Sequence, residues 1–111
     1  MYLEGLFGNA TVEKVLLYLE NYESGYASAI ASTFDVAVSQ VQKQLERLEL
    51  DGILSSRMIG KTREYQFNPR YRFLKALRTL LNEAVQALPS DYQTKYFKQR
   101  QRPRRAGKPL P

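Results

Sequence analysis

The sequence contains no cysteine and no histidine. The absence of cysteine excludes disulfide bonds and thiolate ligands, and it fits a reducing compartment such as the cytoplasm. Because zinc sites are built mostly from cysteine and histidine, the two absences together argue against a zinc site. They also exclude catalysis by a cysteine or histidine side chain. We therefore expect no metal and no cofactor.

Long apolar runs are missing as well. No stretch approaches the roughly 20 apolar residues of a membrane-spanning helix. The first residues, MYLEGLFGNATVEK, lack the basic start and the apolar run of a signal peptide. A cytoplasmic protein without membrane contact is therefore expected. At 111 residues the chain predicts one domain, small enough that pairing with a second copy would help to stabilise it.

Positive charge is scarce in the first half of the chain and concentrated at its end. Residues 1–56 hold three basic and eight acidic residues, a net charge of −5, whereas residues 57–94 carry +4. Residues 95–111 hold seven basic and no acidic residues. A basic end is typical of proteins with an anionic partner, nucleic acid first among them. The alternative is a solvated tail that only keeps the protein soluble.

Apolar periodicity predicts a mainly α-helical chain with one small β-hairpin. Val12, Val15, Leu16 and Leu19 follow the i, i+3, i+4, i+7 spacing of a buried helix face. Two strand-like runs, rich in β-branched and aromatic residues, flank the turn Gly60-Lys61. The predicted elements are three helices at about 9–22, 26–34 and 37–50, strands within 53–59 and 62–67, a long helix at about 71–88, and a short helix from Ser90 followed by irregular chain.

One stretch carries a family resemblance. Residues 28–69, SAIASTFDVAVSQVQKQLERLELDGILSSRMIGKTREYQFNP, place two short helices around a tight turn and follow them with a hairpin. This pattern resembles winged helix-turn-helix transcriptional regulators, particularly the ArsR-like group. We therefore expect a winged helix-turn-helix domain over residues 1–88, whose C-terminal helix at about 71–88 would serve for dimerisation. The charge distribution adds a basic tail over residues 89–111, a short helix followed by irregular chain.

The sequence departs from that family in two respects. Asp35 stands where the family usually has glycine in the turn between the two helices. The cysteine and histidine ligands of its metal-sensing members are missing, so no metal effector is implied. A small-molecule effector stays unknown.

The helix at 37–50 is the candidate recognition helix. With Val41, Leu45 and Leu48 facing inward, Ser39 and Lys43 lie on the opposite side, within the first two turns that enter the major groove in this class. Glutamine can pair with adenine and lysine with guanine, and each good pair discriminates by about 1–3 kcal/mol. The alternative is that these residues form ordinary polar surface. The candidate contacts are Val38, Ser39, Gln40, Gln42, Lys43 and Arg47.

The hairpin at 53–67 would be the wing, and it would supply positive charge that the recognition helix lacks. Phosphate neutralisation provides most of the non-specific affinity for DNA, and arginine suits a narrow, electronegative minor groove. The alternative is that these charges only prevent strand edges from pairing. The wing candidates are Arg57, Lys61, Thr62 and Arg63.

The end of the chain interleaves basic and aromatic residues, a pattern that can follow phosphates and stack on bases. The alternative is that Tyr96 and Phe97 only hold the last helix against the body of the domain. The candidate phosphate contacts are Lys95, Lys98, Arg100, Arg102, Arg104 and Arg105.

The helix at 71–88 carries a coiled-coil-like seam of apolar residues at alternating steps of three and four. A flanking stripe, Phe73, Leu80 and Ala87, widens the apolar arc beyond what one small domain needs. We therefore expect a homodimer. The residues expected at its interface are Leu74, Leu77, Leu81, Ala84 and Leu88.

These features predict a dimeric repressor that binds double-stranded DNA. The alternative is a winged-helix module that binds another protein, such as a toxin (which would make the module antitoxin-like) or a component of defence or replication, with little or no sequence-specific reading of DNA. No nucleophile–base motif, phosphate-cradling glycine loop or catalytic carboxylate pair is recognisable. We therefore expect no enzymatic activity.

Overall fold

The structure, a computed structural model, describes residues 1–99. The mainly helical architecture with a small sheet is confirmed. Within these 99 residues, no helix has both the length and the apolar composition that a bilayer crossing requires. The elements are α1 (Glu4–Phe7), α2 (Ala10–Tyr22), β1 (Ser24–Tyr26), α3 (Ala27–Phe34), α4 (Val38–Leu50), β2 (Leu54–Ile59), β3 (Thr62–Phe67), α5 (Leu74–Ala87), α6 (Ser90–Tyr92) and a one-turn π-helix (Gln93–Phe97).

Helix α2 is the centre of the hydrophobic core. All side chains from Val15 to Leu19 are buried, and α3, α4 and α5 pack around them. Asn9 caps the start of the helix, since its side-chain oxygen accepts hydrogen bonds from the backbone N–H groups of Thr11 (2.8 Å) and Val12 (3.0 Å). A helix buried on most of its circumference fixes the positions of the elements around it.

A tight turn joins α3 to α4. Asp35 adopts the left-handed conformation there, with a φ of 56°. The backbone N–H of Val36 donates to the carbonyl of Ala31 at 3.0 Å, which closes the end of α3. In α4, Val41, Leu45 and Leu48 are buried as the apolar spacing predicts. Val38, which the same spacing places on this face, is 50% exposed because it lies at the first residue of the helix. The turn and this buried face together set the direction in which α4 crosses the core.

The sheet has three antiparallel strands in the order β1-β3-β2, so the predicted two-stranded hairpin was incomplete. In the added strand, Ser24 lies opposite Gln66 and Tyr26 opposite Glu64. Serine and glycine, two of its three residues, do not favour strands, and the pairing partner lies far along the chain, so no local signal marks it. Because α3 begins directly after β1, the sheet is joined to the helix that precedes the turn.

Gly25 lies where β1 passes closest to Tyr18. A Cβ atom at position 25 would lie 2.5 Å from Cε1 of Tyr18, whose ring is buried. We expect Gly25→Ala to lower the free energy of unfolding by roughly 1–3 kcal/mol, because the ring or the strand must move. Urea denaturation followed by circular dichroism measures the loss. Gly5→Ala is the matched control, since a Cβ there meets no atom within 4 Å, and an equal loss in both variants would contradict the explanation.

Helix α5 begins at Leu74, later than the predicted start at residue 71, and packs against α2. Its seam faces the interior of the protomer: Leu81 is 0% exposed, Ala84 8% and Leu88 4%, while Leu74 and Leu77 are partly buried. Three of the five residues expected at a dimer interface therefore belong to the core of one chain. A heptad pattern does not distinguish packing against the same domain from packing against a second copy.

Residues 90–99 fold back onto α2 and α3. Phe97 is buried, and the ring of Tyr96 stacks on that of Phe34 with centroids 5.2 Å apart. The Tyr22 hydroxyl donates to the carbonyl of Tyr96 at 2.6 Å, and Asn21 Nδ2 donates to the carbonyl of Phe97 at 2.8 Å. The aromatic residues therefore hold the first part of the predicted tail against the domain. Of the tail candidates, Lys95 and Lys98 are exposed, and Arg100, Arg102, Arg104 and Arg105 lie outside the described residues.

Buried Tyr18 and half-buried Tyr22, whose ring centroids are 4.6 Å apart, are expected to make the folded state sensitive to alkaline pH. Burial raises the pKa of Tyr22 above its ordinary value, partly opposed by hydrogen bonds from the backbone of Gln99 and the side chain of Asn21. Burial, and then the neighbouring charge of ionised Tyr22, raises the pKa of Tyr18. A raised folded-state pKa means that the neutral phenol is favoured in the folded protein. That stability is fully present below the unfolded-state pKa and is lost as pH rises through the folded-state pKa.

We expect the free energy of unfolding to decrease above about pH 10, and to decrease less steeply in Tyr22→Phe. Ionisation of Tyr22 also removes the donor of its hydrogen bond to the carbonyl of Tyr96. Tyrosinate absorbance and far-ultraviolet circular dichroism over the same pH range measure both processes. If the free energy of unfolding falls equally steeply with pH in the wild type and in Tyr22→Phe, the ionisation of Tyr22 is not the cause of the loss.

Candidate nucleic-acid interface

The first turn of α4 is exposed and uncapped. No side chain accepts a hydrogen bond from its free backbone N–H groups, and it contains no acidic residue. The positive end of the helix dipole is therefore open to an anion such as phosphate. The predicted contact residues Val38, Ser39, Gln40 and Lys43 are all exposed around it.

Gln42, also predicted as a DNA contact, has its side-chain amide engaged within the domain. The side chain is half-buried, and Nε2 donates to the Glu46 carboxylate at 2.8 Å and to the Tyr65 hydroxyl at 3.1 Å. Because Tyr65 is a buried residue of β3, this contact holds α4 against the sheet. Helix periodicity indicated that Gln42 lies beside the exposed face, but it could not reveal a partner on a distant strand. In this conformation Gln42 positions the helix and its amide is not free to pair with a base.

The second half of α4 is committed to contacts within the domain. Arg47 is exposed, but its Nη1 donates to the side-chain oxygen of buried Gln44 at 3.2 Å. The carboxylate of Glu49 accepts a hydrogen bond from Ser56 in β2 at 2.7 Å. The two acidic residues of α4, Glu46 and Glu49, therefore both lie in this half and accept hydrogen bonds within the domain.

The wing divides two of its basic residues between opposite faces. Arg57 forms an ion pair with Glu64 on the neighbouring strand at 3.4 Å, with most of its side chain exposed. Arg63 lies on the opposite face of β3, the face on which the buried side chains of Tyr65 and Phe67 also lie. Its Nη1 donates to Ser56 Oγ at 3.0 Å. Since Ser56 also donates to Glu49, these hydrogen bonds connect Arg63 to the end of α4.

The tip of the wing is the free part of the hairpin. Gly60 takes the left-handed conformation that the turn requires, with a φ of 62°. Lys61 and Thr62 are exposed, and within residues 1–99 Lys61 forms no ion pair. Met58 and Ile59 are 52% and 41% exposed. The tip therefore presents one uncommitted ammonium group beside two apolar side chains.

Arg78, which sequence reasoning did not single out as a contact, joins α5 to α2 and to the base of the wing. Its Nε donates to the Glu20 carboxylate at 2.7 Å and its Nη2 to the Glu23 carboxylate at 3.0 Å. Its guanidinium lies over the Phe67 ring, 5.1 Å from the centroid. The hydrogen bond to Glu23 raises the pKa of Arg78. Burial opposes this effect, and the carboxylate of Glu20 adds to it. Arg78 therefore stabilises the packing of α5 against α2 and against the end of β3.

The surface formed by the first half of α4 and the tip of the wing offers binding groups. Its free side chains are hydroxyl, amide and ammonium groups, which suit phosphate oxygens and base edges. In the part of the chain that the structure describes, no group of three or more metal-ligating side chains lies close enough together to hold a metal ion. The arrangement can hold an anion and distinguish hydrogen-bonding patterns.

Comparison with solved structures identifies the architecture. A mutant of ZitR from Lactococcus lactis, in its apo form, gives a TM-score of 0.57 at 14% sequence identity, over 83% of this chain and 70% of that chain. SPO1453 from Silicibacter pomeroyi DSS-3, a MarR family transcriptional regulator, gives a TM-score of 0.57 at 12% identity, over 82% of this chain and 65% of that chain. The fold is a winged helix-turn-helix.

In a winged helix, the pair α3 and α4 forms the helix-turn-helix and the β2–β3 hairpin forms the wing. At such low identities the likeness concerns the fold alone. The sequence matches no protein-family model and no curated protein. The ArsR-like subgroup stays a prediction from the sequence.

Proposed function

We propose that this winged helix is a DNA-binding transcriptional regulator. Helix α4 lies in the major groove with Ser39 and Lys43 toward the bases, and the wing tip, with Lys61, lies on the adjacent minor groove or its phosphates. The observation that carries the proposal is the start of α4, where Val38, Ser39 and Gln40 are exposed, no side chain caps the helix and the first turn holds no acidic residue. Such a helix end can enter a groove without breaking a contact of the domain.

We propose further that the protein acts as a homodimer and represses transcription. Phe73, just before α5, is 59% exposed, Leu80 within α5 is 37% exposed and Leu6 in α1 is 67% exposed, which is apolar surface of the kind that homodimers cover. A two-fold dimer would place two copies of α4 in successive major grooves about 34–36 Å apart. A dimer bound over a promoter excludes other proteins by occupancy and needs no activating contact.

Titration of labelled DNA carrying the promoter of the protein's own gene, beside a random duplex of equal length, tests the proposal. We expect tighter binding to the promoter, and an affinity for both DNAs that falls steeply with salt, as phosphate neutralisation requires. Lys43→Ala should reduce the difference in binding affinity between the promoter and the random duplex, because it removes a base contact. Absent or salt-independent binding to both DNAs would refute DNA recognition, and sedimentation equilibrium of the free protein tests the dimer.

A protein-binding module is the second candidate, and exposed apolar residues on the proposed DNA side favour it. Val38 is 50% exposed, Met58 52% and Ile59 41%. Clustered apolar side chains are typical of surfaces that meet another protein. A folded protein that binds neither DNA would favour this candidate, and charge reversal at Lys43 and Lys61 would then leave its activity unchanged.

A further inference from the structure

The wing tip, residues 58–63, extends beyond the three-stranded part of the sheet. Strand β1 pairs with residues 64–66 of β3, and closer to the turn the pairs join β2 and β3. In this two-stranded ribbon Met58 lies opposite Arg63, and Ile59 lies opposite Thr62, next to the turn. Because successive side chains of a strand point to opposite faces, Met58 and Ile59 make the tip apolar on both sides.

These two side chains lie apart from the core of the domain. Met58 and Ile59 are both exposed, and within residues 1–99 neither packs against the hydrophobic core. The fold therefore gains little from their apolar character at this position. Neighbouring exposed apolar side chains are a feature of interaction sites, so the partner of the wing tip has to be identified.

The charges around the tip suit an anionic partner. The tip holds two basic and no acidic residues. Arg57 is paired with Glu64 across the hairpin, and Arg63 donates to Ser56. Lys61 forms no ion pair in the part of the chain that the structure describes. The arginines, which are the usual residues for a narrow minor groove, are thus engaged on the hairpin itself. The tip presents two apolar side chains and one ammonium group.

The size of the tip favours a groove over the surface of a protein. Stable protein interfaces bury about 800 Å² on each partner, far more than two half-exposed side chains at the end of a ribbon provide. Ribbons and strands enter the grooves of DNA in several classes of DNA-binding protein. Minor-groove proteins often insert methionine or isoleucine between base pairs, which unstacks them and bends the duplex by about 20–90°.

We propose that Met58 and Ile59 form an apolar wedge that enters the minor groove beside the site of α4 and bends the DNA toward its major groove. This inference rests on the proposed DNA-binding function and deepens it. Unstacking is easiest at pyrimidine–purine steps such as TA and CA. The wing therefore selects a flexible step without a hydrogen bond to its bases, and Lys61 neutralises a phosphate beside it.

Energy transfer between dyes at the two ends of a promoter fragment measures the bend in the complex with the full-length protein. We expect the wild type to bend the fragment by at least about 20°. Met58→Gln combined with Ile59→Thr keeps the length of one side chain and the β-branch of the other but removes their apolar character. This polar variant should reduce the bend to less than about half of the wild-type value. Its salt slope should stay unchanged because no charge is altered, whereas Lys61→Ala should lower the slope by about 1.

The adenine analogue 2-aminopurine, whose fluorescence rises when it unstacks, locates the wedge. Placed in turn at the TA and CA steps of the bound fragment, it should brighten at a step outside the contacts of α4, and it should stay dark with the polar variant. Met58→Leu with Ile59→Val keeps the apolar character and should preserve both the bend and the fluorescence. Leu50→Gln is the matched control, since Leu50 is an exposed apolar residue at the end of α4, outside the wing. It should leave both signals unchanged, and thermal unfolding shows that each variant is folded.

The outcomes that overturn the inference differ in what they imply for the proposed function. If the full chain binds no DNA, both fall together. If it binds and the fragment stays straight, or if the polar variant bends the DNA as strongly as the wild type, the wedge is wrong and the regulator proposal is unaffected. In the second case Met58 and Ile59 serve another surface, such as that of a partner protein. Equal losses of bend in Leu50→Gln and in the polar variant would show that the effect does not come from the wing.

Discussion

A chain carrying Lys43→Glu together with Lys61→Glu is expected to bind its DNA at least about a hundredfold more weakly than the wild type. Lys43 is exposed on the open half of α4 and Lys61 at the wing tip, and within residues 1–99 neither forms an ion pair that the change would break. Each replacement removes a contact of about 1–3 kcal/mol and adds repulsion from phosphate. The salt slope should fall by about 1, because Lys61 is the one of the two residues that is proposed to neutralise a phosphate.

Fluorescence anisotropy over a series of salt concentrations measures both quantities. Arg72→Glu with Lys75→Glu is the matched control, because it makes the same change in net charge at exposed positions next to and within α5. We expect the control to weaken binding only through the long-range field, and therefore much less at high salt. Equal losses in the two double variants would show that net charge, and not the surface formed by α4 and the wing, determines binding.

Phe97→Ala is expected to lower the free energy of unfolding by about 3–5 kcal/mol, the usual cost of emptying a buried phenylalanine site. Phe97 is 5% exposed, and its ring lies 6.0 Å from that of Phe34, so the substitution leaves a cavity against the first helix of the helix-turn-helix. Urea denaturation measures the loss. Hydrogen exchange at the amides of residues 90–99 should increase first, because Phe97 is the buried side chain of that segment.

Tyr92→Ala is the comparison for this change. Tyr92 belongs to the same segment and its ring meets that of Tyr96 at 5.9 Å, but the side chain is 42% exposed. We expect a loss below about 1.5 kcal/mol, since an exposed aromatic contact contributes little beyond its area. Losses of similar size in the two variants would mean that residues 90–99 are not part of the core.

Much of the fold was predictable because its signals are local. The spacing of Val41, Leu45 and Leu48 indicates α4 and its buried face, and the Gly60-Lys61 turn between two strand-like runs indicates the hairpin. The strand β1 gave no such signal, since three residues with serine and glycine acquire their structure only by pairing with β3. The start of α5 was placed too early because the residues before Leu74 continue the apolar pattern without being helical.

The candidate site was predictable only in outline. Helix periodicity separated exposed from buried positions, but it could not show that Gln42 donates to Tyr65, or that Arg63 is connected through Ser56 to Glu49. Both facts depend on where the sheet lies relative to α4. The seam of α5 is ambiguous for a related reason: Leu81 satisfies the same pattern whether its neighbour is α2 or a second chain. Contacts between distant segments decide which predicted surface residues remain available.

The three-residue strand β1 has a mechanical consequence. It is hydrogen-bonded to β3 on one side and continues directly into α3 on the other, so a displacement of the wing is transmitted to the helix-turn-helix through the backbone. The length of the wing can therefore change without affecting this connection only in the part of the hairpin that does not pair with β1, toward Gly60. The Gly60-Lys61 loop is the natural site for such length variation, since inserted residues there would extend the hairpin over a neighbouring groove and leave the angle between wing and recognition helix unchanged.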